Sequence, residues 1–517
     1  MDTFAELSDF ELDPTAIRRL ARDFCVHHQI VVLGGIPEDP RKPVVLGMLH
    51  PEHAQAKVMV GRRLQRPVRS VRLNAYEIGK AISFGFDGPR SGGGTGGLLL
   101  PLGATRPKPD ASPAELLDDL LNKAIRMGAS DIHVERYADD VDVRVRVDGV
   151  LQQTFTHVNP TNVEALVSRV KVLSGLDITE KRAPQDGRFR VRLEERRGQP
   201  AAPIDLRVST APGLAGEDVV MRVLRTAGGV LTLAQLGVDD ERRAVLEALL
   251  ENPEGLILVT GPTGSGKTTT LYSMLDHVRD GTKKVLTAED PIEVVLEKVN
   301  QKQVSPVAGM AELARAFLRQ DPDIMMIGEV RDAETAETAI KGASTGHLVL
   351  STLHTPDAWG CVQRLEGLGV DEASVAEVAL GVVAQRLVRR LCPHCAQPGR
   401  PTDRQRRLFG GLIDGIALRA PVGCPACNDT GYKGRLGLFE VLVVDERLQD
   451  DILSNRAGHE VRDDLRRRGH VSLVRDGLRR LRAGETSLDE LTRVLPFRAI
   501  EAEREFNQDN AGSITGA

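Results

Sequence analysis

The stretch LILVTGPTGSGKTTT, residues 256–270, restricts the fold more than any other part of this chain. A short apolar strand empties into a glycine-rich turn, and the turn opens a helix that carries GxxxxGK[ST] as Gly261, Gly266, Lys267 and Thr268. Glycines let the backbone curl until consecutive N–H groups point at one anion, and the helix N-terminus adds its dipole. The expected anion is the phosphate chain of a nucleotide, wrapped by Gly261, Pro262, Thr263, Gly264, Ser265, Gly266 and Thr269. Lys267 then brings charge to the β/γ-phosphates and the Thr268 hydroxyl reaches Mg2+. Such a loop needs an α/β sheet around it. The segments GLILVTG, KKVLTAED, DIMMIGEV and HLVLSTLH supply one, as short apolar strands spaced by helical stretches. That rhythm predicts a mostly parallel sheet covered by helices, with ligands at the carboxyl ends of the strands.

Phosphoryl transfer also needs a metal ligand and a group that orients water. LTAEDPIE offers Glu289, Asp290 and Glu293, and the apolar run Ile324–Ile327 leads into Gly328 and Glu329, the Walker B position. In TGHLVLSTLHT, His347 and His354 flank a β-rich run. A strand between them separates them too far for one metal ion, so sensing of the γ-phosphate is the expectation, with plain polar loop residues as the rival.

Four of the six cysteines fall into two pairs, Cys392-Pro-His-Cys395 and Cys424-Pro-Ala-Cys427. Two CxxC knuckles present four thiolates, the set that closes a tetrahedral structural Zn2+ site with no open position. Redox-active CxxC is the competing reading, and it needs one pair fewer. His394 is an alternative ligand inside the first knuckle; Cys25 and Cys361 are expected to pack as small apolar residues.

Composition bears on partners. Across 517 residues, 68 Lys+Arg against 73 Asp+Glu leave a formal net charge of −5, and aromatic residues are 3%. Neither a cationic surface nor aromatic stacking platforms for nucleic acid are indicated. No run approaches the roughly 18 apolar residues that span a bilayer, and the first residues carry no targeting pattern, so a cytoplasmic chain is expected. Its length allows about three to four domains. Residues 1–86 read as a small mixed α/β unit and 87–112, rich in Gly, Ser and Pro, as a flexible linker. Ser112 is a plausible N-cap with Pro113 and Glu115 behind it, and in VDVRVRVDGVL strict alternation puts Val141, Val143, Val145 and Val147 on one face. Basic extended segments recur to about 226. The apolar strands occupy 227–387, the cysteine segment 388–437, a helical region 438–505, and 506–517 looks like a disordered tail.

Taken together, GPTGSGKTTTLY, AEDPIE, LRQDPDIMMIGEVRDAETA, TGHLVLSTLHT and LCPHC…CPACNDTGYKGRLGLFE resemble the secretion ATPases that drive type II secretion and assemble type IV pili. The resemblance is dense over about 113–500. It implies a RecA-like P-loop core (227–387) preceded by an α+β N2 domain (113–226), a small N-terminal docking domain and an inserted zinc segment. It also implies a homo-hexamer that hydrolyses ATP with Mg2+. By the same resemblance Glu293 polarises the attacking water, Glu329 is the Walker B glutamate, and His347 and His354 form a histidine box. Arg207 and Arg222 match N2-domain arginine fingers, and Arg315 and Arg319 a further pair in the core. The expected partners are an inner-membrane platform protein and its cytoplasmic docking partner, which would keep the chain at the inner membrane peripherally. The tetracysteine segment favours assembly motors over retraction motors. A motor for DNA uptake or conjugation is the alternative, and no duplicated motif for a cyclic dinucleotide is found in residues 14–83.

Overall fold

The computed structural model describes residues 10–514 except 11, 21–23, 26–27, 38, 40, 74–77, 79–80, 83–97, 101–110, 154–156, 194–202, 226–228 and 306. By contact the chain falls into two units, residues 1–122, 133–142 and 156–223, and residues 123–132, 143–155 and 224–517.

Strands β1 (Ile30–Leu33), β2 (Val44–Met48) and β3 (Val68–Arg72) make a three-stranded sheet, antiparallel between β1 and β2 and parallel between β2 and β3. A parallel pair needs a crossover, and helix Ala54–Leu64 supplies it. Ile17, Leu20, Cys25 and Val60 fill the core beneath, where burial pushes the Cys25 thiol up to about 11.

The second sheet contains β4 (Leu98–Leu100), β5 (Asp131–Arg136), β6 (Val141–Val147), β7 (Val150–Gln153), β8 (Gln185–Leu193), β9 (Pro203–Gly213) and β10 (Gly216–Arg225) in the order β4-β8-β9-β10-β5-β6-β7. Within the stretch expected as a linker, Leu98–Leu100 pairs in parallel with β8; most of the remainder lies outside the described residues. Ser112 does cap helix Pro113–Met127 through reciprocal bonds with Glu115, 2.8 Å from the Ser112 amide and 3.3 Å back to its hydroxyl. In β6, Val141, Val143 and Val145 are buried while Val147 is half-buried at the turn.

The third sheet is built from β11 (Gly255–Thr260), β12 (Val285–Glu289), β13 (Asn300–Gln303), β14 (Ile324–Ile327), β15 (Leu348–Leu353) and the long β16 (Ala379–Leu391). A separate ribbon of β17 (Gln397–Pro398) and β18 (Arg419–Ala420) follows, and β19 (Tyr432–Val443) returns antiparallel to β16. The order is β13-β12-β14-β15-β11-β16-β19, parallel up to β16. Alternate residues of one strand enter different cores: Leu256 and Leu258 join one cluster, Ile257 and Val259 the other. Burial on both faces is why these strands read as unbroken apolar runs.

Five helices close the chain, the last being Phe497–Ile514. The expectation of a disordered tail is therefore corrected for 506–514, which continue this helix. Ile500 is fully buried, and Glu503, 1% exposed, accepts from Ser472 and Arg475. With the first turns anchored, each further residue adds a hydrogen bond without a new nucleation cost.

Candidate functional site

β11 delivers the chain to the phosphate loop at a fixed height. The Thr260 hydroxyl accepts from the Thr355 amide at 2.8 Å, which ties the exit of β11 to the exit of β15. Gly261 then takes φ +151°, and a Cβ there would lie 2.4 Å from the Gln385 carbonyl oxygen and 2.5 Å from Ser265 Oγ. Only glycine lets the loop pass this close to β16. Helix Lys267–Val278 begins directly after Gly266. Two features of the loop suit a phosphate chain: three glycines at positive φ, Gly261, Gly264 and Gly266, ahead of the helix N-terminus, and the Ser265 hydroxyl, 3% exposed with no hydrogen-bond partner among the described residues. Lys267 Nζ donates to the carbonyls of Gly261 at 2.8 Å and Pro262 at 3.2 Å. Burial lowers its pKa to about 8, with Glu329 pulling upward and the Arg386 charge pushing further down.

Glu329 stands just beyond β14, and His354 just beyond β15, so Lys267, Glu329 and His354 meet at the carboxyl ends of three neighbouring strands. His354 Nε2 lies 3.6 Å from Glu329 Oε2, and Arg331 Nη2 is 2.5 Å from the other carboxylate oxygen. Burial and the Lys267 charge hold the imidazole below the ordinary histidine range, against the pull of Glu329. At neutral pH the ring is therefore neutral, free to donate or accept a hydrogen bond. A bound Mg2+ would be held by Thr268 and Glu329 and would supply charge to the phosphates.

The acidic segment divides. Glu289 is 3% exposed and accepts from Thr287 Oγ1 at 2.5 Å, Gln301 Nε2 at 3.0 Å and the Tyr272 hydroxyl, so it is committed to the interior. Asp290 and Glu293 are exposed.

His347 is not brought to this cluster. It precedes β15, at the opposite end from His354, with Nδ1 2.8 Å from the Gly342 carbonyl. Six residues of strand separate the two rings by about 20 Å. Arg315, on helix Met310–Phe317, pairs with Glu334 and lies 3.9 Å from Glu312, while Arg319 Nη1 donates to the Arg315 carbonyl at 3.3 Å; both are exposed. Arg207 and Arg222 are exposed on β9 and β10.

Sequence reading missed three residues around the loop. Arg386, 6% exposed, donates to the carbonyls of Gln385 at 2.9 Å and Pro356 at 2.7 Å, and burial draws it below the arginine range. Gln385 accepts from Thr270 Oγ1 at 2.7 Å. Tyr272 is buried in the helix after the loop, and burial together with Glu289 pushes its phenol above the tyrosine range. No local motif marks the first two; β16 reaches the loop only through its pairing with β11. The Tyr272 signal was its place in the helix that follows the loop.

The four cysteines converge. Their sulfurs all lie within 4.8 Å of one another, with Cys392–Cys424 at 3.9 Å, Cys395–Cys427 at 3.8 Å and Cys424–Cys427 at 3.7 Å. Tetrahedral Zn–S bonds of about 2.3 Å place sulfurs about 3.8 Å apart, so the donor set fits zinc. The amides of Cys424 and Gly431 donate to Cys427 Sγ at 3.3 and 3.2 Å, supporting a thiolate there. His394 is exposed and outside the cluster. Cys361 is fully buried, its thiol pushed up to about 12 by burial.

The profile of the family described as type II/IV secretion system protein matches residues 108–493. The type II secretion system ATPase E of Vibrio cholerae serotype O1 is 44% identical over 388 residues, 74% of this chain and 76% of that one. The type II secretion system protein HxcR of Pseudomonas aeruginosa is 46% identical, covering 74% of this chain and 78% of its own length. For the type IV pilus assembly ATPase PilB of Thermus thermophilus the identity is 40%, over 74% of this chain and 43% of that one. The solved structure of the Legionella pneumophila ATPase DotB aligns with a TM-score of 0.54 at 23% identity, covering 78% of this chain and 99% of its own, which shows a shared fold. A phosphate loop flanked by an acid and an imidazole, a tetracysteine cluster and likeness over three quarters of the length lead to one conclusion: the chain belongs to the type II/IV secretion system protein family, as a secretion ATPase.

Proposed function

We propose that this chain hydrolyses ATP within a homo-hexameric ring and couples the cycle to domain movement that assembles a type II secretion pseudopilus. An inner-membrane platform protein and its cytoplasmic docking partner would receive that movement, and they would hold the chain at the inner membrane. The observation that carries the reading is the meeting of Lys267, Glu329 and His354 at adjacent strand ends around the phosphate loop. Glu293, in the exposed segment after β12, is the group that polarises water. Arg207, Arg222, Arg315 and Arg319 are exposed, as arginines offered to a neighbouring subunit's phosphates must be. Identity supports a pseudopilus over a type IV pilus: 44% and 46% with the two type II relatives, against 40% with the pilus relative. A net charge of −5 and 3% aromatic residues speak against direct work on DNA. No helix among the described residues is long and apolar enough to cross a membrane.

Lys267→Ala should abolish ATP turnover, whereas Glu293→Gln should still bind ATP and hydrolyse it at least about a hundredfold more slowly, in the range of lost general-base catalysis. Wild-type turnover by the glutamine variant would refute the assignment of the base. Turnover stimulated by DNA, or failure to co-purify with any inner-membrane protein, would refute the wider reading.

A further inference from the structure

The segment carrying Glu293 is only partly anchored by apolar packing, with Val294 half-buried against the core. Glu293 is exposed, Val295 is 85% exposed, and Leu296 is the first buried side chain after it. Side chains from beneath also grip its backbone. The Tyr272 hydroxyl gives its single proton to Glu289, which turns its oxygen lone pairs toward the segment. That oxygen accepts from the Glu293 amide at 3.1 Å and, more loosely, from the Val294 amide at 3.5 Å. Gln301 takes the other side, accepting from the Leu296 amide at 2.7 Å and donating to the Val294 carbonyl at 2.9 Å. Both grips converge on Glu289, since Gln301 Nε2 also donates to its carboxylate.

Tyr272 also belongs to the phosphate-loop helix. It lies four residues after Thr268, on the same helical face, and its side chain leans toward the helix N-terminus. Burying a carboxylate and a phenol here is a poor way to gain stability, because a packed apolar pair would avoid the desolvation cost. The arrangement does something an apolar pair cannot: it fixes backbone amides of the exposed segment relative to the helix that holds the phosphates.

We propose that Tyr272 is a positioning residue, seated on Glu289, that sets the distance between Glu293 and the phosphate loop. The proposal rests on the reading of Glu293 as the group that polarises water. A displacement of the order of 1 Å in a reacting group costs up to about a hundredfold in rate. Tyr272→Phe keeps the ring and removes the hydroxyl, so kcat should fall about tenfold or more while KM and the affinity for a fluorescent mant-ATP stay within about twofold. Gln301→Met, which cuts the second grip, should lower kcat in the same way. Tyr272→Phe combined with Glu293→Gln should be no slower than Glu293→Gln alone. Wild-type kcat in Tyr272→Phe, beside a slow Glu293→Gln, would overturn this proposal and leave the base assignment standing. Parallel loss of mant-ATP affinity would overturn it too, by making Tyr272 a support of phosphate binding. Wild-type turnover by Glu293→Gln would remove the premise, and the proposal with it.

Discussion

Gly261→Ala tests how closely the phosphate loop is pressed against the sheet. The glycine sits at φ +151°, where a residue with a side chain pays about 1–3 kcal/mol in backbone strain. Its new Cβ would also meet the Gln385 carbonyl oxygen at 2.4 Å and Ser265 Oγ at 2.5 Å. The serine can rotate; the carbonyl belongs to β16, paired on both sides by β11 and β19, and cannot retreat without moving the sheet. Overpacking of this kind adds about 1–3 kcal/mol. The total, about 2–6 kcal/mol, is a large part of the 5–15 kcal/mol typical of a domain, so the loop should yield before the sheet does. Gly264→Ala is the control: its φ of +77° carries a conformational cost of about 1–2 kcal/mol, and no described residue beyond its chain neighbours comes within 4 Å of its Cβ. Mant-ATP titration should then show affinity lost by more than about 30-fold for Gly261→Ala and by less than about 30-fold for Gly264→Ala. Urea unfolding can be followed in parallel by Trp359, the sole tryptophan and 4% exposed in the larger core. A Gly261→Ala protein with wild-type affinity and midpoint, or a Gly264→Ala protein weaker than it, would refute the reasoning.

Two other consequences can be measured directly. Lys267 titrates near 8 when folded, against 10.5 unperturbed, so ATP affinity should be flat below about pH 7.5 and weaken as pH rises through 8. From 8 to 10.5 the unfolded chain binds more protons at this group, so its contribution to stability rises with pH over that window; calorimetry in buffers of different ionisation enthalpy should find proton uptake on ATP binding near pH 8. Metal analysis should find about one zinc per chain, and chelation or Cys427→Ser should expose 388–437 to proteolysis while mant-ATP still binds; a metal-free protein with wild-type resistance would remove the site.

Much of the site was legible because it is local. A phosphate cradle is six residues of backbone between a strand and a helix, and a zinc knuckle is a four-residue turn, so their spacing alone carries the chemistry. Apolar runs located the central strands because burial on both faces leaves no polar alternation to confuse them. The capping box at Ser112 and Glu115 was readable for the same local reason.

The sequence by itself therefore determined the phosphate loop, the acid after β14, the two cysteine pairs and the α/β class. Tertiary structure decided which of the other residues share a place. Lys267 and Glu329 lie 62 positions apart and feel each other's charge, because β15 alone stands between β14 and β11 in the sheet. His347 and His354 lie seven positions apart and stand at opposite strand ends. Glu289, one of three acids in a single motif, faces inward to Tyr272 and Gln301 while its neighbours face out. Gln385 and Arg386 wall the loop only because β16 pairs with β11 at Thr260 and Ala384. Strand order is set by pairing between distant segments, and a spacing along the chain carries no information about it.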